Sequence, residues 1–441
     1  METARRVSKL VLVFFLFTSS LWSHTLQAKS ISFAYTFSDD LQAIVHVEQL
    51  NSMNAFALSL LQSAAPTVSF ESKSATQKQK GQAYLPHIVF NLVRTKENEL
   101  EYDWISPILA YECSELFACT PNAGSQEIDV GVAYIALAKT DNSEHDAEWL
   151  SEKVSEYKTS SEFNALVLPL VTQVSKDFPN SVEEYGLVSL VGELHANTSN
   201  LWVIADLVPL FSDLSERGEL EGIAADFVRE ILHEMGMSDA ILSAPWERIA
   251  KEATTKSNVL VFSVIRTDER DDVFHWVTPV SKNLHGLFGI DKPRFATIQD
   301  VPKTYRVGTL AQDYRYDIAL DLGFQVKAYE SWQAMVGGLF RNDIDVLFGS
   351  QGAVDIGCNP EGLKCETIRL TSEYDISTAY LALSKTDTCV LVLEKLKLAS
   401  AKARKSKKYN EQLSAWSEMV SQDFGIAHHT ENGVVHLWNP N

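Results

Sequence analysis

Residues 258–280 read NVLVFSVIRTDERDDVFHWVTPV, and this stretch decides the fold. Its first part, 258–265, is rich in Val and Phe and predicts a buried strand. A charged turn follows, and a second apolar run ends at Pro279. Residues 94–107 resemble 266–279 at an offset of 172, because five of the fourteen positions carry the same residue. The chain therefore contains an internal repeat.

A second offset extends this repeat toward the C-terminus. Residues 125–141 match 371–387 at an offset of 246, with nine identities in seventeen positions. The two offsets differ by 74 residues, so the second copy holds about 74 residues, roughly 284–361, that the first copy lacks. This inserted segment is the main difference between the two copies.

Strand-like and helix-like segments alternate along the second copy. The apolar residues of 222–235 fall on one helical face, and Gly236 follows them as a stop signal. Such alternation is typical of a parallel α/β architecture. The predicted strands are 202–207, 258–265, 305–309, 325–329 and 345–348, and the predicted closing helices are 390–403 and 410–424.

The chain is long and acidic. Its 441 residues exceed one ordinary hydrophobic core, so we expect two or three domains. The formal net charge of −20 at pH 7 argues against nucleic acid and anionic membranes as partners. One basic cluster, 402–408, interrupts the acidic composition, and we interpret it as a solvated stretch between two helices.

Residues 1–28 have the order of a secretory signal peptide. Arg5, Arg6 and Lys9 precede an apolar run, and small or polar residues lead to a cleavage site near Ala28. The apolar run is too short to span a bilayer. Paired arginines also occur in twin-arginine signals, but the ordinary export route is favoured. We therefore expect a cleaved signal peptide, a periplasmic location and no membrane insertion.

Five cysteines remain in the exported chain. In an oxidising compartment, the closely spaced pairs Cys113 with Cys119 and Cys358 with Cys365 are interpreted as disulfides. Metal ligation is the weaker interpretation, because no His lies at ligand spacing beside either pair. Cys389 is left over and is expected to be a buried thiol.

The run 258–280 resembles the extracellular solute-binding protein family 3, whose best-known members bind polar amino acids for ABC importers. The strand 259–263, the turn 267–270 and the aromatic run 274–279 carry the resemblance, which extends over roughly 202–424. It implies an α/β fold of the type 2 periplasmic-binding-protein class, a two-lobed clamp that closes on a ligand by a hinge.

The same resemblance implies the domain organisation. The complete clamp is expected at 187–441, with lobe two at about 283–366, close to the inserted segment. The chain is expected to cross between the lobes near 279–285 and 368–375. The first copy, 29–182, then resembles a truncated lobe one without lobe two. A clamp with one jaw cannot close, so the first copy is not expected to bind ligand independently.

Lobe one supplies four candidate ligand-binding residues. In the family, an Arg at the position of Arg270 grips the ligand carboxylate, and a guanidinium suits a carboxylate as a two-pronged, charge-assisted partner. A surface pairing of Arg270 with Glu269 or Asp271 is the structural alternative, and Asn98 takes its place in the first copy. The other three candidates are Thr267 in the same turn, Ser263 at a position facing the cleft, and Phe211, which either covers the ligand or packs in the core.

Lobe two departs further from the family pattern. The strand-to-helix turn that receives an anion there holds Gln312 and Asp313, and Asp313 would repel a carboxylate. Its structural alternative is a helix cap. The acidic partner of an α-amino group is replaced by Ser350. Arg266 is shared with Arg94 of the first copy, so we expect it to be structural. An ordinary α-amino acid is therefore not the favoured ligand.

The sequence predicts a binding protein and no enzyme. No nucleophile-elbow, zinc-protease, phosphate-loop or dinucleotide glycine pattern occurs, and no cofactor or metal is expected. The favoured function is capture of a small polar, carboxylate-bearing solute for an inner-membrane ABC permease. The alternative is a degenerate solute-binding-like module used for sensing or protein partnership, with the truncated copy as an interaction surface.

Overall fold

The computed structural model describes most of the chain after residue 31. The described residues are 32–72, 85–113, 120, 130–140, 143–194, 198, 201–205, 207–208, 210–215, 217–311, 313–358 and 365–438. The predicted signal peptide, 1–28, lies outside them. Within these ranges, no helix is long and apolar enough to cross a membrane.

The first copy forms one sheet with three helices. Its strands are β1 (Ser32–Phe37), β2 (Ser69–Ser72), β3 (His87–Val93), β4 (Tyr102–Glu112), β5 (Val130–Ala138), β6 (Val182–Glu184) and β7 (Leu187–Ser189). Its helices are α1 (Val47–Ala64), α2 (Ser143–Lys158) and α3 (Ser161–Val174). The strand order is β2-β1-β3-β5-β4-β7-β6. All three helices bury their apolar faces in the same core as the sheet.

The second copy begins with the first part of lobe one and continues into lobe two. Lobe one starts with β8 (Trp202–Ala205), β9 (Asp213–Leu214), β10 (Leu220–Glu221), α4 (Ile223–Glu234), β11 (Leu242–Ser243), α5 (Trp246–Thr255), β12 (Val259–Ile265), α6 (Asp268–Asp271) and β13 (Phe274–Ile290). Lobe two contains β14 (Arg306–Leu310), α7 (Tyr314–Asp321), β15 (Gln325–Tyr329), α8 (Trp332–Phe340), β16 (Val346–Ser350) and α9 (Gln351–Cys358).

The chain then returns from lobe two to complete lobe one. The closing elements are β17 (Ile368–Ser384), α10 (Val390–Lys405), α11 (Lys407–Met419), β18 (His429–Glu431) and β19 (Val434–His436). The path of the lobe-one sheet is β11-β8-β12-β17-β13-β19-β18, which is the order of the first sheet strand for strand. Strands β13 and β17 run through both lobes, and lobe two adds β16, β14 and β15 beyond β13.

The strand registers of the two copies agree as closely as their strand orders. Tyr102 of β4 pairs with Ala138 of β5, and Phe274 of β13 pairs with Ser384 of β17, which are the same positions at the offsets of 172 and 246. The first two register shifts of the β13–β17 pair fall at the positions of the two shifts in the β4–β5 pair. The repeat read from the sequence is therefore a structural duplication.

The two copies differ at the end of the central strand pair. In the first copy β4 ends at Glu112 and β5 begins at Val130, whereas β13 and β17 continue into lobe two. The predicted fold class, an α/β clamp of two lobes preceded by a truncated single lobe, is confirmed. The predicted domain limits stay predictions, since the structure shows only that one sheet ends at Ser189 and the next begins at Trp202.

One of the two predicted disulfides lies wholly within the described residues. Cys358, at the end of α9, is bonded to Cys365, with their Cα atoms 6.0 Å apart. Cys113 is disulfide-bonded as well, but its predicted partner Cys119 lies outside the described residues. Cys389 carries a free thiol that is only partly buried, and this burial raises its pKa.

The two copies contact each other through equivalent helices. Helix α2 of the first copy packs against α10, its counterpart at the 246-residue offset. Ser151 and Lys397 are equivalent positions, and Lys397 Nζ donates a hydrogen bond to Ser151 Oγ at 3.2 Å. A contact between two equivalent positions is the signature of an isologous interface, as in a twofold dimer.

Two further pairs of residues repeat this relation. Glu148 of α2 accepts a hydrogen bond from Tyr380 of the second copy. Its counterpart Glu394 of α10 interacts electrostatically with Tyr134, the counterpart of Tyr380. Each copy thus presents its acidic helix residue to the aromatic strand residue of the other copy.

The basic cluster 402–408 takes part in the same interface through Lys405, whose Nζ donates to the carbonyl oxygen of Glu156 and to Thr159 Oγ1 of the first copy. Its Arg404 is bound within lobe one. Arg404 Nη2 donates to Thr278 Oγ1 at 2.8 Å and also to the carbonyl oxygen of Pro279. The equivalent Lys158 Nζ donates to the carbonyl oxygen of Pro107 at 2.8 Å. The interpretation of this cluster as a solvated stretch is therefore wrong for Arg404, whose guanidinium satisfies backbone and hydroxyl acceptors inside lobe one.

One hydrophobic core runs across the boundary between the copies. Val132 and Leu187 of the first copy belong to the same buried cluster as Leu260 and Leu396 of the second. The face of the first sheet that carries Val132 is therefore covered by the chain itself. It is not a free surface for another protein.

Stability is expected to fall as the pH rises from about 5 to 8, because of Glu148. Burial raises the pKa of its carboxyl group from 4.5 to about 7. An acid whose pKa is raised by folding contributes stability that is full below its unfolded pKa and lost as the pH rises through its folded pKa. At pH 8 the free energy of unfolding of Glu148→Gln should therefore be about 2 kcal/mol higher than that of the wild type.

Urea unfolding at pH 5 and pH 8 checks this expectation. The advantage of the Gln variant should shrink as the pH falls toward 4.5, where the wild-type carboxyl is also neutral. An equal difference between variant and wild type at both pH values would contradict it.

Candidate functional site

The ends of two strands mark the cleft between the lobes. Strand β12 ends at Ile265, opposite Ala379 of β17. Strand β16 ends at Ser350, opposite His285 of β13, which in turn lies opposite Asp375 of β17. Strand β12 runs antiparallel to β17, and β16 runs antiparallel to β13. Because β13 and β17 run in opposite directions, the carboxyl ends of β12 and β16 point toward each other. Asp375 and Ala379, the β17 residues at these two ends, are four positions apart, about 13 Å of extended chain.

Carboxyl ends of strands are where open α/β sheets bind ligands. Here two such edges, one from each lobe, meet over a short hinge. We call the end of β12 from Ser263 onward, together with the loop after it, the lobe-one lip. We call Ser350, at the end of β16, and the starts of α7 and α9 the lobe-two lip. Together they form the candidate site.

Arg270 lies on the lobe-one lip. Its side chain is partly buried, and Nη1 donates to the carbonyl oxygen of Ile265 at 2.6 Å. The guanidinium carbon lies 4.3 Å from the ring centroid of Trp246, at the start of α5, in a cation–π contact. None of the ion pairs formed by the described residues includes Arg270. Burial lowers its pKa from the usual value.

The first copy shows which part of this arrangement is structural. Asn98 occupies the position of Arg270, and its Nδ2 donates to the carbonyl oxygen of Val93 at 2.8 Å. Val93 is the counterpart of Ile265, so both residues close the turn with the same hydrogen bond. A short neutral side chain suffices for that bond. The charge and remaining donors of Arg270 are therefore not required by the turn.

Ser263 and Thr267 lie on the same lip as Arg270. Ser263 adopts a left-handed backbone conformation, φ 61°, as does its counterpart Asn91 at φ 58°. Such a conformation is uncommon for Ser and marks the register shift of β12 against β17. Its Oγ is buried without a hydrogen-bond partner in the described part of the chain. Thr267 is exposed and hydrogen-bonds to Glu269.

Phe211 lies deeper than the lip. Its side chain is 5% exposed and packs on Trp416 of α11, with the ring centroids 5.6 Å apart. Trp416 Nε1 donates to the carbonyl oxygen of Leu210, which fixes this packing. The contacts of Phe211 are those of the core alternative, and the structure does not place it beside Arg270.

Asp313 begins the lobe-two lip, and the adjacent candidate Gln312 lies outside the described residues. Asp313 Oδ1 accepts a hydrogen bond from the backbone N–H of Arg315 at 2.9 Å and so caps α7. Its carboxylate also forms an ion pair with the Arg315 guanidinium, 2.6 Å between Oδ2 and Nη2. Burial alone would raise the pKa of Asp313, but the bonds from Arg315 hold it below its usual value.

Arg315 is a functional candidate that the sequence analysis missed. Its guanidinium lies over Trp332, 5.4 Å from the ring centroid, and Nη1 is 3.1 Å from His285 Nδ1. His285 Nε2 lies 2.6 Å from Ser377 Oγ on the other crossing strand. The network links lobe two to both strands of the hinge. Burial and the charge of Arg315 lower the pKa of His285 to about 4, so it is neutral at neutral pH.

Ser350 completes the lobe-two lip. Its Oγ accepts a hydrogen bond from the backbone N–H of Ala353 at 3.2 Å, at the first turn of α9. The structure thus places Arg270, Ser263 and Thr267 on one lip and Asp313 and Ser350 on the other. Each lip also carries an arginine stacked on a tryptophan. The charge of Arg315 is paired with Asp313 in an ion pair. Arg270 forms no ion pair with a carboxylate among the described residues, and Glu269, one position before it, interacts with it only electrostatically.

Comparisons with known proteins give the following result. No family model and no curated protein sequence matches the chain. A histidine kinase sensor domain with similarity to periplasmic binding proteins is similar in structure at 13% identity and TM-score 0.39, covering 49% of this chain and 96% of that one.

Two amino-acid-binding structures are also similar. The second substrate-binding domain of a putative amino acid ABC transporter from Streptococcus pneumoniae has 14% identity and TM-score 0.38, covering 49% of this chain and 99% of that one. An ancestral arginine-binding protein bound to arginine has 16% identity and TM-score 0.37, covering 50% and 99%. At these identities and TM-scores, nothing about function follows.

Proposed function

We propose that this protein is an exported solute-binding protein whose clamp captures a small polar solute bearing a carboxylate. One observation carries the proposal: Arg270 lies on the lobe-one lip with a charge that the turn does not need and that no carboxylate of the described residues pairs with in an ion pair. A partly buried cation without an ion-pair partner at the mouth of a two-lobed cleft is suited to an anionic ligand.

The neighbours of Arg270 favour this chemistry. The ring of Trp246 holds the guanidinium plane, so less side-chain freedom is lost when a carboxylate binds. The unpaired Oγ of Ser263 supplies a hydroxyl donor on the same lip. Two donors to one anion fix its orientation as well as its position.

The lobe-two lip limits which carboxylates fit. The carboxylate of Asp313 is paired with Arg315, and Ser350 offers only a hydroxyl, so neither residue supplies a free negative charge for an α-ammonium group. The proposed ligand class is therefore a small carboxylate with hydroxyl or other neutral polar groups. Zwitterionic amino acids are disfavoured.

The location and the transport partner are part of the proposal. The order of residues 1–28 supports export to the periplasm, and a clamp in that compartment is suited to delivering its ligand to an inner-membrane ABC permease.

A second candidate function is sensing or protein partnership without transport. One observation favours it: Asp313 and Arg315 occupy the α7 start with an internal ion pair, where the related family receives an anion. One observation argues against partnership through the first copy. Its exposed large apolar side chains among the described residues are scattered over different elements, which is ordinary for a protein surface. These are Phe37, Val47, Leu100 and Leu168.

A ligand screen tests the proposed function. The melting temperature of the mature protein is measured against small carboxylates, amino acids, polyamines and sugars. A carboxylate present at about 100 times its dissociation constant should add roughly 2.7 kcal/mol to the free energy of unfolding. We expect stabilisation by hydroxy- or dicarboxylates and none by polyamines. Folded protein that responds to no member of the panel would support the second candidate.

A further inference from the structure

The C-terminal hairpin places two histidines directly opposite each other. Strands β18 and β19 are joined by Asn432 and Gly433, both with positive φ, 51° and 74°, as a tight two-residue hairpin turn requires. In this register His429 pairs with His436. Their ring centroids are 4.6 Å apart.

A carboxylate lies on the same face of this hairpin. Glu431 follows His429 by two residues, and side chains two apart on a strand point to the same side. One ligand atom from each of His429, Glu431 and His436 lies within 4.8 Å of the others. A tetrahedral zinc ion with bonds of about 2.0–2.1 Å needs its ligand atoms roughly 3.3 Å apart. Rotation of the exposed Glu431 side chain is enough to bring its carboxylate to that range.

The proton on His429 is fixed by its surroundings. Its Nδ1 lies 2.8 Å from the carbonyl oxygen of Trp438. A carbonyl oxygen only accepts, so Nδ1 carries the proton and Nε2 presents its lone pair. Histidines that bind metal ions commonly donate their second nitrogen to a backbone carbonyl in this way, which fixes the ring orientation and strengthens the ligand.

The first copy contains the same hairpin without the histidines. Strands β6 and β7 are joined by Tyr185 and Gly186, with φ 52° and 73°, and Val182 pairs with Ser189. Val182 and Ser189 are the counterparts of His429 and His436 in the duplicated register. The hairpin therefore folds without imidazoles, and folding alone does not account for the histidine pair.

We propose that His429, Glu431 and His436 form a binding site for a divalent transition-metal ion, with zinc as the probe ion. Two imidazoles and one carboxylate leave the fourth tetrahedral position to water, and such a ligand set also suits Cu²⁺ or Ni²⁺. The sequence analysis expected no metal, because the ligands belong to two three-residue strands whose pairing is not readable from spacing.

The site lies beside the hinge of the clamp. Strand β19 pairs with β13 at His436 and Lys282, a few residues before His285. Nearby, the backbone N–H of Ala427 donates to Asp355 of α9 in lobe two at 3.0 Å. The exposed Glu431 leaves the ion an entry path from solvent. The metal site is independent of the carboxylate proposed for the cleft.

Calorimetric titration of zinc chloride into chelator-treated mature protein tests the proposal. We expect one zinc ion per chain. His429→Asn should weaken zinc binding by at least about 10–100-fold, the loss that removal of even an outer partner of a metal ligand causes. His436→Asn should do the same, and Glu431→Gln should weaken binding without changing the apo melting temperature, because its side chain is exposed. Cobalt in place of zinc should give the visible absorption of a tetrahedral site.

His233→Asn is the matched control, because His233 is an exposed histidine on α4 that lies close to two carboxylates, the buried Glu230 and the exposed Glu234. It should leave zinc binding unchanged. If His436→Asn fails to fold, His429→Asn and Glu431→Gln still decide the question. Binding that survives both of these changes, that is lost in His233→Asn, or that is absent in the wild type would overturn the proposal.

Discussion

Arg270→Asn is expected to weaken binding of the carboxylate ligand at least about 100-fold while leaving the fold intact. The charge-assisted contact between guanidinium and carboxylate disappears, and removing one partner of such a buried pair costs about 2–5 kcal/mol. A cost of about 2.7 kcal/mol corresponds to 100-fold in the dissociation constant. The affinity of wild type and variant for the carboxylate found in the screen is measured by calorimetry.

Asparagine is chosen because the first copy already uses it. Asn98 donates to the carbonyl oxygen of Val93, as Arg270 donates to that of Ile265. The substitution should therefore keep this turn hydrogen bond while it removes the guanidinium charge and its contact with Trp246. Arg217→Asn, the same change at an exposed arginine between β9 and β10, is the control and should leave affinity unchanged. An Arg270→Asn variant that binds the carboxylate as tightly as wild type would show that Arg270 does not hold the ligand.

Leu396→Ala is expected to lower the free energy of unfolding by about 3 kcal/mol. Both copies should be destabilised, because they are expected to unfold together. Leu396 is fully buried on α10, in the core that also contains Val132 and Leu187 of the first copy. Replacing a buried Leu by Ala removes apolar contacts and leaves a cavity, at a cost of about 2–5 kcal/mol. Because the core is continuous, unfolding should remain a single transition at a lower urea concentration.

Leu168→Ala is the matched control for this prediction. Leu168 is 64% exposed on α3, so the same deletion of side-chain atoms should change stability by less than about 0.5 kcal/mol. Tryptophans in both copies report the transition, Trp104 in the first and Trp416 in the second. Two separate transitions, with only the Trp416 signal shifted by Leu396→Ala, would show that the copies are independent domains.

The sequence predicted the duplication and the position of the extra lobe, because both follow from similarities between contiguous stretches of residues. The offsets of 172 and 246 aligned β4 with β13 and β5 with β17, and their difference placed the extra lobe. The fold class and the Cys358–Cys365 disulfide followed from the same residues. The turn from Thr267 to Arg270 was recognisable because its residues are contiguous.

The remaining features depend on contacts between distant parts of the chain. Arg315 contacts His285, and His285 contacts Ser377, only after lobe two has folded against the hinge. The spacing of these residues in the sequence does not predict these contacts. The start of α7 gave one signal, an Asp followed two residues later by an Arg. Only Asp313 was considered there, as a cleft residue or a helix cap, and its pairing with Arg315 was missed. The contact between α2 and α10 could not be predicted either, because it depends on how one copy packs on the other.

Hydrogen exchange of the mature protein, with and without the carboxylate identified by the screen, tests the central claim most directly. If the ligand is held between the two lips, backbone amides of 263–270 and of the α7 and α9 starts should exchange more slowly in its presence, while amides of the first copy should be unaffected. Protection confined to one lip, or protection of residues in the first copy instead, would contradict ligand capture by the clamp.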